Sequence, residues 1–167
     1  MVLGMDLATF TLVHVIISLI GIVSGIIVMF SMLGSRSTPG MTAIFLLFTI
    51  LTNATGFLFP FTKLLPSHII AILGLVLLAI ACLALYGMKL AGAWRWIYVV
   101  TAMTSLYLNI FVLVIQSFLK IPFLHALAPS VPPSEPPFAA VQGLVLLFFV
   151  LVIIGGIRRF RPPATFA

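Results

Sequence analysis

Long apolar runs alternate with short breaks rich in proline, glycine or charge along the 167 residues. Crossing a hydrocarbon core of ~30 Å takes ~20 mostly apolar residues as a helix. Five runs meet that length: Leu7–Leu33, Met41–Phe61, Ser67–Met88, Trp94–Leu119 and Phe138–Ile157. A backbone in lipid has no water to bond, so each run is expected to be helical. The breaks are of the right kind. Gly34 to Gly40 is a turn cluster, Pro60 to Pro66 brackets Lys63, and Lys89 to Arg95 carries two charges among small residues. The last break, Lys120–Pro137, holds six of the eleven prolines, which remove backbone donors and fix φ. The pattern predicts one all-α integral membrane domain over residues 1–167, a five-helix transmembrane bundle with a proline-rich loop at 120–137. The first run lacks a basic lead-in and is too long for the apolar core of a signal peptide, so it is expected to be retained.

Composition sharpens this. Hydrophobic residues make up 63% and charged residues 6%, against about 25% charged in a soluble domain. So few charges cannot coat a folded chain in water, and so apolar a chain is not disordered. The mean hydropathy of +1.39 agrees. The net charge of +6 would suggest nucleic acid in a soluble protein. Here the cations are scattered between apolar runs, so no nucleic-acid partner is expected and the charge reads as topology. Five crossings put Arg36, Lys89, Arg95, Arg158, Arg159 and Arg161 on one side. Lys63, Lys120 and the only acids, Asp6 and Glu135, fall on the other. Cytoplasmic loops carry the excess of Lys and Arg. The expectation is an N-terminus outside and a C-terminus in the cytoplasm, in a cell inner membrane. The single cysteine, Cys82, allows neither an internal disulfide nor a paired thiol site.

Small and polar residues suggest which faces look inward, because helices in lipid associate through close packing and interhelical hydrogen bonds. His14, Ser18, Gly21 and Gly25 share one face of the first run, and Thr49, Thr52, Asn53 and Gly56 share one of the second. Thr101, Ser105, Asn109 and Gln116 form a stripe on the fourth. The third run is nearly all aliphatic and fits either a central or a lipid-facing place. At ~1.5 Å per residue, His14, Asn53 and Asn109 lie ~10 to ~15 Å below the outer ends of their runs. Gln116, His68 and Gln142 lie shallower on the same side. The candidate site is thus an outer-half pocket lined by His14, Asn53, Asn109 and Gln116. His68 and Gln142 would stand at its mouth, and Lys63 or Lys120 beside an acidic group of the ligand. The competing reading is that these residues only fix helix packing.

The chemistry open to such a site is narrow. A quinone or lipid needs an apolar groove and one amide or imidazole donor. Haem b would need axial histidines, and His14 and His68 are the candidates. No cofactor and no metal is expected on balance, because His68, His125 and Glu135 lie on interfacial or loop segments. A nucleophile–base set is lacking, since the only acids lie outside the runs. Coupled transport generally uses embedded ionisable groups, and only His14 is available. A non-enzymatic accessory or assembly subunit of a membrane complex therefore leads. A binder of quinone, lipid or haem follows, and a transporter component comes third. The expected partners are the bilayer, other membrane proteins or a second copy.

Phe118-Leu-Lys-Ile-Pro-Phe-Leu-His-Ala-Leu-Ala-Pro129 and Ser134-Glu-Pro-Pro-Phe138 resemble a group of short bacterial inner-membrane proteins with the same loop elements. The resemblance implies a bacterial source and a loop of definite structure, and no activity. Ile121, Phe123, Leu124, Leu127 and Phe138 are too apolar for a solvated linker. A short helical turn is expected within Ile121–Leu127, then an extended course over Pro129–Pro137, with Glu135 beside Lys120 or Lys63.

Overall fold

The computed structural model describes residues 1–60 and 66–162. It is all-helical, at 79% helix, and five of its helices are long and apolar enough to cross a membrane. They are α1 (Leu7–Leu33), α2 (Pro39–Gly56), α3 (Pro66–Cys82), α4 (Trp94–Lys120) and α6 (Pro136–Arg159). A short helix, α5 (Pro122–Leu127), follows α4. The protein is a multi-pass membrane protein by these helices. α2 starts two residues earlier than its apolar run because Pro39 suits the first helical turn, where no backbone donor is needed. It ends at Gly56, and Phe57 and Leu58 turn back to bond the carbonyls of Ala54 and Thr55. α3 is prolonged by one π turn, Leu83–Gly87, closed by a bond from the Met88 amide to the Leu83 carbonyl at 2.8 Å. Widening the last turn lets two successive residues, Ala84 and Leu85, both face the core.

α4 is the axis of the bundle. Tyr98, Val99, Ala102, Met103 and Leu106 along it are all buried, and α1, α2, α3 and α6 pack round it. The α4–α6 pair runs antiparallel in a readable ladder: Tyr98 meets Phe160, Val99 meets Gly156, Tyr107 meets Phe149, and Phe118 meets Phe138. α1 lies against both α2 and α4 because its Gly21–Gly25 face is flat. A methyl group on Gly25 would stand 2.6 Å from Leu106 Cδ1 and 2.9 Å from the Phe45 ring. On Gly21 it would press on Thr49. α3 turns Ala71, Gly74, Leu78 and Ala81 inward and leaves Ile69, Ile72, Leu73 and Val76 outside, so it is peripheral and one-sided.

The core is concentrated toward one end. Val28, Met29 and Met32 of α1, Phe45 of α2, Leu85, Tyr98 and Val99, and Val152 and Phe160 form one dry cluster. At that end the segments are tied across long sequence separations. The Arg161 amide donates to Ser35 Oγ at 2.8 Å. Arg95 Nη1 donates to the carbonyls of Ile157 and Phe160, at 3.0 and 2.7 Å. A helix leaves its last carbonyls unpaired and carries negative partial charge there, so a guanidinium is a suitable cap.

Candidate functional site

At the opposite, proline-rich end the chain's two acids stand at helix N-termini, and one of them caps its helix. Asp6 caps α1: its carboxylate accepts from the Thr9 amide at 2.8 Å and the Thr9 hydroxyl at 2.9 Å. The Thr9 backbone bond, then its hydroxyl, hold the Asp6 carboxyl below its ordinary pKa. Glu135 stands at the N-terminus of α6, just before Pro136 and Pro137. It accepts from the amides of Ser130 and Ser134 and from the Ser130 hydroxyl, at 2.9 to 3.1 Å. Desolvation raises its pKa, but the bonds from Ser134 and Ser130 together outweigh it and bring the carboxyl below the usual value. The expected helical turn is α5, and the stretch after it is folded back on Glu135. The partners of Glu135 among the described residues are serines, not Lys120. Lys63 lies outside the described residues, so its place in the expected site does too.

The polar residues of the proline-rich half are distributed over three helix interfaces. Between α1 and α2, His14 Nδ1 lies 2.7 Å from Thr55 Oγ1, and the ring stands edge-on to Phe59 with centroids 5.1 Å apart. Thr55 also donates to the Leu51 carbonyl at 2.7 Å. Its one proton serves that bond, so the short contact has the His14 nitrogen donating to the hydroxyl oxygen. Between α2 and α3, Asn53 is buried and its Nδ2 donates to the Thr49 carbonyl at 2.8 Å. The side chain lies on Gly74, where an added methyl would come 2.6 Å from Asn53 Oδ1. His68 is buried beside Phe57, ring centroids 5.7 Å apart. Between α4 and α6, Gln142 Nε2 donates to the Phe111 carbonyl at 3.0 Å.

Asn109 Nδ2 and Gln142 Oε1 are buried with no hydrogen-bond partner among the described residues. Such groups cost about 1–3 kcal/mol unless something pairs them. Gln116 is exposed. Lower on α4, Thr101 and Ser105 bond the carbonyls of Ile97 and Thr101, within the helix itself. Among the described residues, no three of His, Cys, Asp and Glu converge as a metal site would require.

Sequence reasoning missed Thr55, Phe57 and Phe59. The Phe57-x-Phe59 spacing just past Gly56 was the available signal for an aromatic lining. Arg95 was counted as a topological charge, and its capping role was not legible. No family model, curated protein or solved structure matches this chain.

Proposed function

We propose that the chain is a non-enzymatic accessory or assembly subunit of a larger membrane complex. It would sit in a bacterial inner membrane, N-terminus outside and C-terminus in the cytoplasm. The observation that carries this is the outer face of α6. Leu144, Leu147, Leu151 and Ile154 recur at steps of three, four and three residues and are 41–68% exposed. That is the spacing of a helix–helix seam, left open along a helix whose other face is committed to α4. A photo-crosslinker at Leu147, with one at Leu73 of α3 for comparison, tests it in cells. The expected result is a protein adduct of one defined mass from Leu147 and none from Leu73. Adducts to lipid alone from both positions would overturn it, and an adduct of twice the chain's mass would replace it with self-association. A C-terminal reporter active only outside the cytoplasm should stay silent in this orientation.

A second reading has its own support. Asn109 Nδ2 and Gln142 Oε1 are each buried without a partner among the described residues, so each is open to the polar group of a small apolar ligand. A quinone or lipid suits these amides better than haem, whose iron takes an imidazole, thiolate, thioether or phenolate ligand and not an amide. Asn109→Leu should abolish retention of an extractable quinone or lipid while leaving the fold intact. Unchanged retention rejects the pocket, and a Soret band in the purified protein would restore haem.

A further inference from the structure

Two features at the basic end, unused by either reading, adjoin one another. One is an open trench on the outer surface of α1 and α2, with a volume of about 400 Å³. Leu19, Ile20, Val23, Ile27, Met41 and Ile44 form its walls, with Ser24 at its floor. Its volume falls within the ~300–1,000 Å³ typical of small-molecule sites. Along α1 it runs ~12 Å, from Leu19 to Ile27, at ~1.5 Å per residue. Ser24 bonds the carbonyl of Ile20 at 2.6 Å, so the trench offers little beyond hydrocarbon contact.

The other feature is the charge at its lower end. The α1 stripe through Ile20, Ser24 and Ile27 continues at helical spacing to Ser31 and Gly34. Beside Gly34 lies the Arg36 side chain, its Nε 3.3 Å and Nη2 3.6 Å from where a methyl on Gly34 would stand. On the α2 wall, Met41 is in the first turn, close after Arg36 in the chain. The Arg161 bond to Ser35 brings a second exposed arginine to the same corner. Arg95 is nearby but spent on the carbonyls of α6. Both acidic side chains of the protein, Asp6 and Glu135, are at the opposite end of the bundle. Arg36, with its guanidinium beside Gly34, and Arg161, joined through its backbone to Ser35, thus stand below the apolar trench with no carboxylate partner among the described residues.

We propose that the trench and this corner bind one acidic phospholipid, an acyl chain lying along Ile20–Ile27 and the headgroup phosphate resting on Arg36 and Arg161. Guanidinium binds phosphate by paired, charge-assisted hydrogen bonds. Basic clusters next to membrane helices attract anionic headgroups. A zwitterionic lipid would place its own ammonium against the two arginines, and a free phosphate would leave the trench unused.

The test is native mass spectrometry of the purified full-length protein. It is titrated with phosphatidylglycerol, with phosphatidylcholine of the same chains, and with glycerol 3-phosphate. One phosphatidylglycerol should be retained at least tenfold more strongly than phosphatidylcholine, and glycerol 3-phosphate should not compete. Arg36→Gln with Arg161→Gln should erase the preference, whereas Lys89→Gln should keep it. Val23→Trp, on an exposed wall position, should reduce retention of both lipids without touching a charge. Equal retention of the two lipids overturns the proposal. So does a loss from Lys89→Gln as large as that from Arg36→Gln, which would mean diffuse attraction. Competition by glycerol 3-phosphate would instead mean a simple anion site. Equal melting of the variants and the parent protein excludes misfolding as the cause of a loss.

Discussion

The two ends of the bundle solve the same packing problem with different materials. At the basic end, aliphatic and sulfur-containing side chains close a dry core, and charge is used outside it, as a cap on α6 and at the lipid-facing corner. At the proline-rich end, helices meet through single polar or aromatic contacts: His14 on Thr55, Asn53 on Gly74, Gln142 on a carbonyl. Dispersion among many close-packed atoms is collectively large, whereas a hydrogen bond between helices in lipid averages ~0.6 kcal/mol. The difference teaches that the basic end holds the fold, and that the other end can change its contacts at modest cost.

The hardest blow to that comparison is Gly25→Val. Its side chain would collide with Leu106 and Phe45, where α1, α2 and α4 meet, and should cost about 3 kcal/mol. Unfolding in a graded denaturing detergent would read this as an early midpoint, and an unshifted midpoint would show that the junction is soft. Arg95→Ala comes next, at about 2 kcal/mol, because two carbonyls lose a charged donor. Arg95→Lys, a point charge without the guanidinium fork, should recover only part of it. Hydrogen exchange should then speed up in the last turn of α6 and not in α1.

At the other end, Thr55→Val should cost no more than ~1 kcal/mol, with the His14 ring still held by Phe59. If it costs as much as Gly25→Val, the two ends do not differ as described. The smallest effect concerns Glu135. Its carboxyl is held below the ordinary value when folded, so its contribution is present above the unfolded pKa, ~4.3. That contribution is lost as pH falls through the lower folded value. Limited proteolysis of the 128–135 segment should quicken in acid. In Glu135→Gln it should be faster at neutral pH and nearly indifferent to acid.

Much of the fold was legible because lipid leaves the chain few choices. Apolar length and proline-bearing breaks mark the five helices, and the Gly21–Gly25 spacing marks the packing face of α1. The place of α3 was not legible. A helix of uniform aliphatic composition looks alike from all sides, and the burial of Ala71, Leu78 and Ala81 with Gly74 on Asn53 shows which side is inward. The candidate site was legible as a depth, not as a shared surface. Heights along helices place His14 and Asn53 together in the proline-rich half, but rotation about the helix axes separates them, His14 onto Thr55 and Asn53 onto Gly74. Glu135 was read as an ion-pair partner because long-range charge is visible in a sequence. Its serines are visible only once the chain turns back on itself.

Arg95 precedes Ile157 by 62 positions, so α4 is complete well before α6 is made. The clasp on the Ile157 and Phe160 carbonyls can therefore close only when synthesis has brought the last of the described helices into the bilayer. The clasp is thus a contact that α4 makes later than any of its contacts with α1, α2 and α3.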